Sequence, residues 1–163
     1  MCCINSHQGN PFHAIEKWTG ECFIRDSLYQ LGLVLYLGHG GERCLSAGLL
    51  EKLPPQPTGD LEDGWDYEDE ELGNNDIWIV HSSGIFRAQL QYCSCPAAPD
   101  RHIQLLRHDL FPASFISPRT AFTFSVLKEF EIDTLECKTS AMNFFSKLRR
   151  RTNNAFPRQV PVR

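Results

Sequence analysis

The chain has 163 residues, 42% of them hydrophobic and 22% charged, with a formal net charge of -4 and seven cysteines. That length and apolar share suit a single domain with its own core, and no apolar run approaches the roughly 20 residues that cross a bilayer, so a soluble protein is expected. An odd cysteine count, with no charged start followed by an apolar stretch, points to an intracellular chain whose thiols ligate metal or lie buried instead of pairing.

The net charge hides two opposite regions. Asp60 to Glu71 holds eight acids and no base; without them 12 acids face 16 Lys and Arg, a balance of +4. From Lys147 onward the chain carries Lys147, Arg149, Arg150, Arg151, Arg158 and Arg163 and no acid, a basic segment suited to nucleic acid or an acidic partner.

Residues 1–22 read as an irregular arm holding Cys2, Cys3, His7, His13 and Cys22. Leu33–Leu37 is rich in branched apolar residues and predicts a buried strand, and the glycines around His39 predict a tight turn after it. Residues 51–75 combine prolines, glycines and acids with too little apolar surface to offset their ordering entropy, which predicts a disordered acidic insertion. Ile77–Val80 predicts a second strand, His81–Gly84 a turn and Ile85–Cys93 a third strand. In the third, Phe86, Ala88, Leu90 and Tyr92 alternate with Arg87, Gln89 and Gln91, so one dry and one wet face are expected. Arg101–His108 predicts a short helix or turn, stopped by Phe111-Pro112. Arg119–Phe130 carries both patterns: Thr120, Phe122 and Phe124 alternate, whereas Phe122, Val126 and Phe130 recur every four residues, which favours helix in the second half. Thr139 or Ser140 predicts the N-cap of a last helix through Arg151, with Met142, Phe145 and Leu148 on one face.

Chemistry concentrates in two short clusters, His39-x4-Cys44 and the doublet Cys93-Ser94-Cys95. Adjacent cysteines in C-x-C do not readily pair with each other, and two local clusters closing on one ion is how small domains build a tetrahedral zinc site. His39, Cys44, Cys93 and Cys95 are therefore the candidate zinc ligands, a closed structural set; the competing reading is a turn histidine beside buried thiols. Cys2 or Cys3, with His7 and His13, forms a partial second set in the arm, short of the earlier cysteine that completes such a finger. No G-x-S-x-G, Walker A, H-E-x-x-H, Rossmann or EF-hand pattern occurs, so no enzymatic activity is expected. A cysteine hydrolase, with one thiol activated by a nearby histidine, is the enzymatic alternative.

Asn10-Pro-Phe-His-Ala-Ile-Glu-Lys-Trp18, Leu31-Gly-Leu33, Leu37-Gly-His-Gly40, Gly84-Ile-Phe86, Tyr92-Cys-Ser-Cys95, Gln104-Leu-Leu-Arg107, Phe111-Pro-Ala113, Pro118-Arg-Thr-Ala-Phe-Thr-Phe124 and Lys138-Thr-Ser140 follow one another in this order. Together they resemble the CxC-type cysteine-cluster domain of the second type, associated with KDZ transposases and abundant in fungal mobile elements. The resemblance implies a zinc-chelating module accessory to a transposase catalytic region that is absent here. It implies binding of DNA at element ends or of that catalytic domain, and a nuclear location. His39, Cys44, Cys93 and Cys95 match its ligand positions, and His7 and His13 match its arm, where a C-x2-C pair usually precedes them. The sequence thus predicts an α+β domain spanning 1–163: a small antiparallel sheet with zinc-binding loops, an irregular arm over 1–22 and C-terminal helices. Lys147, Arg149, Arg150 and Arg151 are the candidate phosphate contacts. A B-box-like protein-interaction module and a non-functional transposon remnant are the rival readings.

Overall fold

At the centre of the fold lies the antiparallel pair β4 (Asp76–His81) and β5 (Gly84–Gln91), whose register pairs Asp76 with Gln89 and closes with His81 opposite Gly84. The computed structural model describes residues 2–46, 73, 75–157 and 160, so the insertion expected at 51–75 lies outside the described residues except for Gly73 and Asn75. Two further strands join this pair in parallel: β3 (Val34–Tyr36) along β5, and β7 (Thr120–Thr123) along β4. β6 (Leu110–Pro112) completes the edge against β7, giving the order β3-β5-β4-β7-β6. A separate antiparallel ribbon forms from β1 (Ile15–Trp18) and β2 (Phe23–Asp26).

Strand alternation sends β4 side chains to opposite faces, and both faces are covered. Ile77 and Ile79 join Leu37, Ala88, Leu90, Tyr92, Leu105, Leu110 and Ala121 in one core, where the helix α2 (Arg101–Arg107) packs. Val80 and Trp78 meet Ile85, Val126, Phe144 and Leu148 in the other, under α3 (Phe124–Cys137) and α4 (Ala141–Thr152). Each fully buried Ile or Leu of these cores contributes about 1.5–3 kcal/mol.

The α+β architecture is that expected, but the larger sheet is mixed, since two of its four pairings are parallel. The face of β5 expected to be wet is largely covered. Gln91 is buried, and Arg87 is held by an ion pair to Asp76 at 2.8 Å and by the face of Tyr29. The loop carrying Tyr29 supplies this cover, a tertiary contact that alternation along one strand does not reveal. Phe111-Pro112 does not merely stop α2: Leu110–Pro112 is a strand, tolerated because a proline lacking its N–H can sit at a sheet edge.

Both patterns at Arg119–Phe130 are realised in succession. β7 ends at Thr123, whose hydroxyl accepts from Val126 N–H and caps α3, and Phe122, Val126 and Phe130 share the second core. Ser140 caps α4 in the same way, accepting from Asn143 N–H. The buried stripe of α4 is Phe144 and Leu148, with Phe145 partly buried beside them. Met142, expected on that face, is 76% exposed, because α3 approaches through Phe130, whose ring lies 5.0 Å from that of Phe144.

The arm expected over 1–22 carries more structure than that reading gave it: a helical turn, α1 (Cys2–His7), and the strand β1, which pairs with β2 just beyond it. It docks on the β4–β5 turn, where Phe12 stacks on His81 with ring centroids 5.1 Å apart and Ser83 Oγ donates to the Phe12 carbonyl at 2.8 Å. Arg25 of β2 donates to the carbonyls of Thr152 and Arg151 at the C-terminal end of α4. A cation there complements the negative end of the helix dipole.

Candidate metal centre

Parallel pairing of β3 with β5 makes two remote motifs neighbours. Strands that run side by side in one direction end at the same sheet edge, and Leu37 N–H to Gln91 C=O, at 2.9 Å, extends the pairing past β3. After β3 the chain turns through His39, Gly40 and Gly41, all with positive φ (52°, 72° and 96°). Two glycines carry this turn without Cβ strain, and it swings the His39 ring back over the sheet end. After β5 the chain delivers Cys93 and Cys95 to the same place.

His39, Cys44, Cys93 and Cys95 thus place four donor atoms within 4.8 Å of one another. Cys44 Sγ lies 3.8 Å from Cys93 Sγ and 3.7 Å from Cys95 Sγ. His39 Nε2 lies 3.4 Å from Cys93 Sγ and 3.5 Å from Cys95 Sγ. These sulfur separations are far beyond the ~2.05 Å of a disulfide, and all three cysteines are free. Cys44 is buried at 2% exposure, the other two cysteines are half-buried, and His39 is exposed. Ser46 Oγ sits 3.7 Å from Cys95 Sγ, a hydroxyl beside the thiol.

Crowding shows in the acidity of Cys93. The Cys95 backbone N–H favours its thiolate, but burial, hydrogen bonds with the Cys95 and Cys44 thiols and the charge of Cys44 outweigh that and raise its pKa above the ordinary thiol value. Clustered thiols resist ionising together, and a divalent cation reverses that preference by supplying the compensating charge. The donor set is therefore one that can hold a metal ion.

Two residues outside the candidate ligand set fix Cys93. A Cβ built on Gly38 would fall 2.6 Å from Cys93 Cβ, so only glycine lets the β3 turn come this close. On the other side, Gln104 of α2 accepts from Cys93 N–H at 2.7 Å and donates to Cys93 C=O at 3.1 Å and Pro99 C=O at 2.8 Å. The glycine run beside His39 was the available signal for the first; nothing local marks the second.

In the arm, Cys3 Sγ lies 3.7 Å from His7 Nδ1, which also sits 2.8 Å from the Cys3 carbonyl, and the His7 and His13 rings meet edge-on at 5.4 Å. His13 Nε2 accepts from Asn10 at 2.8 Å. These neighbours do not converge as the four core donors do: among the described residues the core set is the one group of three or more. The Cys2 side chain lies outside the described residues.

The basic residues of α4 are partly engaged within the fold. Lys147 pairs with Glu129 at 3.0 Å and with Asp133; burial opposes its charge, but these two carboxylates prevail and raise its pKa. Arg151 pairs with Glu129 at 3.0 Å and donates to the Ser82 carbonyl. Arg149 is half-buried and Arg150 exposed, and Lys147, Arg150 and Arg151 line a shallow groove with Asn143 and Ser146. No helix among the described residues is long and apolar enough to cross a membrane.

Residues 64–156 match the family model described as CxC2 like cysteine cluster associated with KDZ transposases. No curated protein and no solved structure matches the chain. The matched span contains Cys93 and Cys95, while His39 and Cys44 precede it and reach the cluster through the β3–β5 pairing. With more than half of its length matched, this chain belongs to the CxC2-like cysteine-cluster family associated with KDZ transposases.

Proposed function

We propose that the chain is a zinc-stabilised accessory module that binds DNA for a KDZ-type transposase and carries no catalysis of its own. One observation carries the metal assignment. Zinc bonds of ~2.3 Å to sulfur and ~2.0–2.1 Å to imidazole nitrogen, at tetrahedral angles, place sulfurs about 3.8 Å apart and sulfur about 3.6 Å from nitrogen. The centre has 3.7 and 3.8 Å between sulfurs and 3.4 and 3.5 Å from sulfur to nitrogen. Three thiolates and an imidazole are also the soft donors that favour zinc over magnesium or calcium. Four protein ligands leave no position for an activated water, so zinc here would clamp the β3 turn to the end of β5.

DNA binding draws support from the family's transposase association and from the α4 end, where Lys147, Arg149, Arg150 and Arg151 are the contact candidates. The carboxylates Glu129 and Asp133 offset part of this charge, so exposed Arg150 is the leading contact. Metal analysis of freshly purified, reduced protein tests the first half: one zinc per chain, lost on Cys95→Ser, is expected, and no bound metal overturns it. For the second half, duplex DNA binding should weaken with salt and on Arg150→Glu, and negligible affinity at low salt overturns it.

A protein-binding module is favoured by a different observation. Ile132, Leu135 and Met142, on either side of the α3–α4 connection, are all more than half exposed. Such apolar surface fits docking of another protein, such as a transposase catalytic domain, better than docking of phosphate.

A further inference from the structure

We infer that Gln104 is the positioning residue of the metal centre: its amide stands in for a neighbouring strand and fixes the Cys93 backbone so that its sulfur faces the other three donors. This rests on the metal reading above. β5 ends at Gln91, and among the described residues no strand pairs with the backbone beyond it. Gln104, 3% exposed on α2, takes over: it accepts from Cys93 N–H and donates to Cys93 C=O, the two-way exchange one peptide makes with another across an antiparallel ladder. Its second N–H donates to the Pro99 carbonyl, closing the loop that contains Cys95. A buried amide satisfied in this way holds one rotamer, and its three bonds converge on the residues around the doublet.

The side-chain chemistry is specific. Glutamate would retain an acceptor for Cys93 N–H but would set a carboxylate against two carbonyls and lose both donors. Methionine would match the shape of glutamine and make none of the three bonds. Asparagine is one methylene short of the Cys93 backbone. Outer-shell partners of this kind usually change metal affinity 10–100-fold when removed. Leu105, the next residue, is fully buried in the core and touches none of these bonds, so it reports structural damage alone.

The test uses the full chain loaded with Co(II), whose thiolate-to-metal absorption reports the number and geometry of sulfur ligands, alongside chelator competition for zinc. Gln104→Met is expected to weaken zinc binding 10–100-fold and to alter the Co(II) spectrum. Gln104→Glu, which keeps one acceptor but sets a carboxylate against two carbonyls, should weaken zinc binding at least tenfold as well, and provides the same readout if the methionine variant does not fold. Leu105→Ala is expected to lower the melting temperature while leaving the spectrum unchanged. A parental spectrum and affinity in both Gln104 variants would make Gln104 a structural residue only and overturn the inference. Failure of the parent chain to take up Co(II) or zinc would instead overturn the metal reading, and this inference with it.

Discussion

Gly38 and Cys93 stand so close that a single added carbon would bring them into collision: a Cβ on Gly38 would meet Cys93 Cβ at 2.6 Å and its Sγ at 3.4 Å. The turn that carries His39 and the doublet that carries Cys93 and Cys95 are thus in direct backbone-to-side-chain contact, and the donor geometry depends on it. Gly38→Ala should push Cys93 away from His39 and Cys44, since overpacking of this kind typically costs about 1–3 kcal/mol. A fall in zinc affinity of about tenfold or more in chelator competition is expected, 1.4 kcal/mol being one decade. Unchanged affinity would show that the turn can yield without disturbing the site.

Removing the metal should loosen one end of the sheet and spare the other. Chelation is expected to raise amide exchange around the β3 turn and residues 93–99, because zinc held by the four clustered donors would, on leaving, release both sides of a long connection together. The α3–α4 core of Val126, Phe144 and Leu148 lies on the opposite face of the sheet and should keep its protection. Uniform loss of protection would show that the two cores do not open independently.

Acid should weaken the docking of the arm through His81. Burial, aided by His13, lowers the pKa of His81 below 6.5 despite the raising effect of Glu129. Its neutral ring accepts Ser83 N–H at 3.1 Å and stacks on Phe12. A group with a depressed folded-state pKa contributes stability that is present above the unfolded value and lost as pH falls through the folded one. Thermal melts should therefore show stability falling from pH 7.5 towards pH 5, and the fall should shrink in His81→Asn. An identical acid response in both proteins would remove His81 as its cause.

The last helix separates burial from pattern. Leu148→Ala, at a site 1% exposed, should lower stability by about 2–5 kcal/mol. Met142→Ala, at 76% exposure, should fall within about 0.5 kcal/mol of the parent. Denaturant midpoints for the two variants decide it, and equal losses would refute the placement of α4.

Loss of the α4 cap offers a smaller, local effect. Ser140 accepts from Asn143 N–H at 3.3 Å, and Ser140→Ala should cost about 1 kcal/mol. Glycine at the same position should cost only a few tenths of that, a ranking readable from paired denaturation curves.

Local chemistry in the chain was sufficient for several elements. The β4–β5 hairpin, the Ser140 cap and the four clustered donors all follow from alternation, turn residues, capping chemistry and donor type, each within a few residues of sequence. Those signals operate through a strand's period of two, a helix's period of 3.6 and the reach of one side chain to a nearby N–H. Whatever depended on a distant partner was decided by the tertiary structure. The parallel partnership of β3 and β5, 50 or more residues apart in sequence, alone brings His39 and Cys44 to the doublet. The acids of α3 that engage Lys147 and Arg151, and the amide of Gln104 behind Cys93, likewise belong to other elements. A sequence names the donors of a site because donor chemistry belongs to single residues, whereas their convergence, and the charge left over for a partner, belong to contacts that exist only after the sheet has assembled.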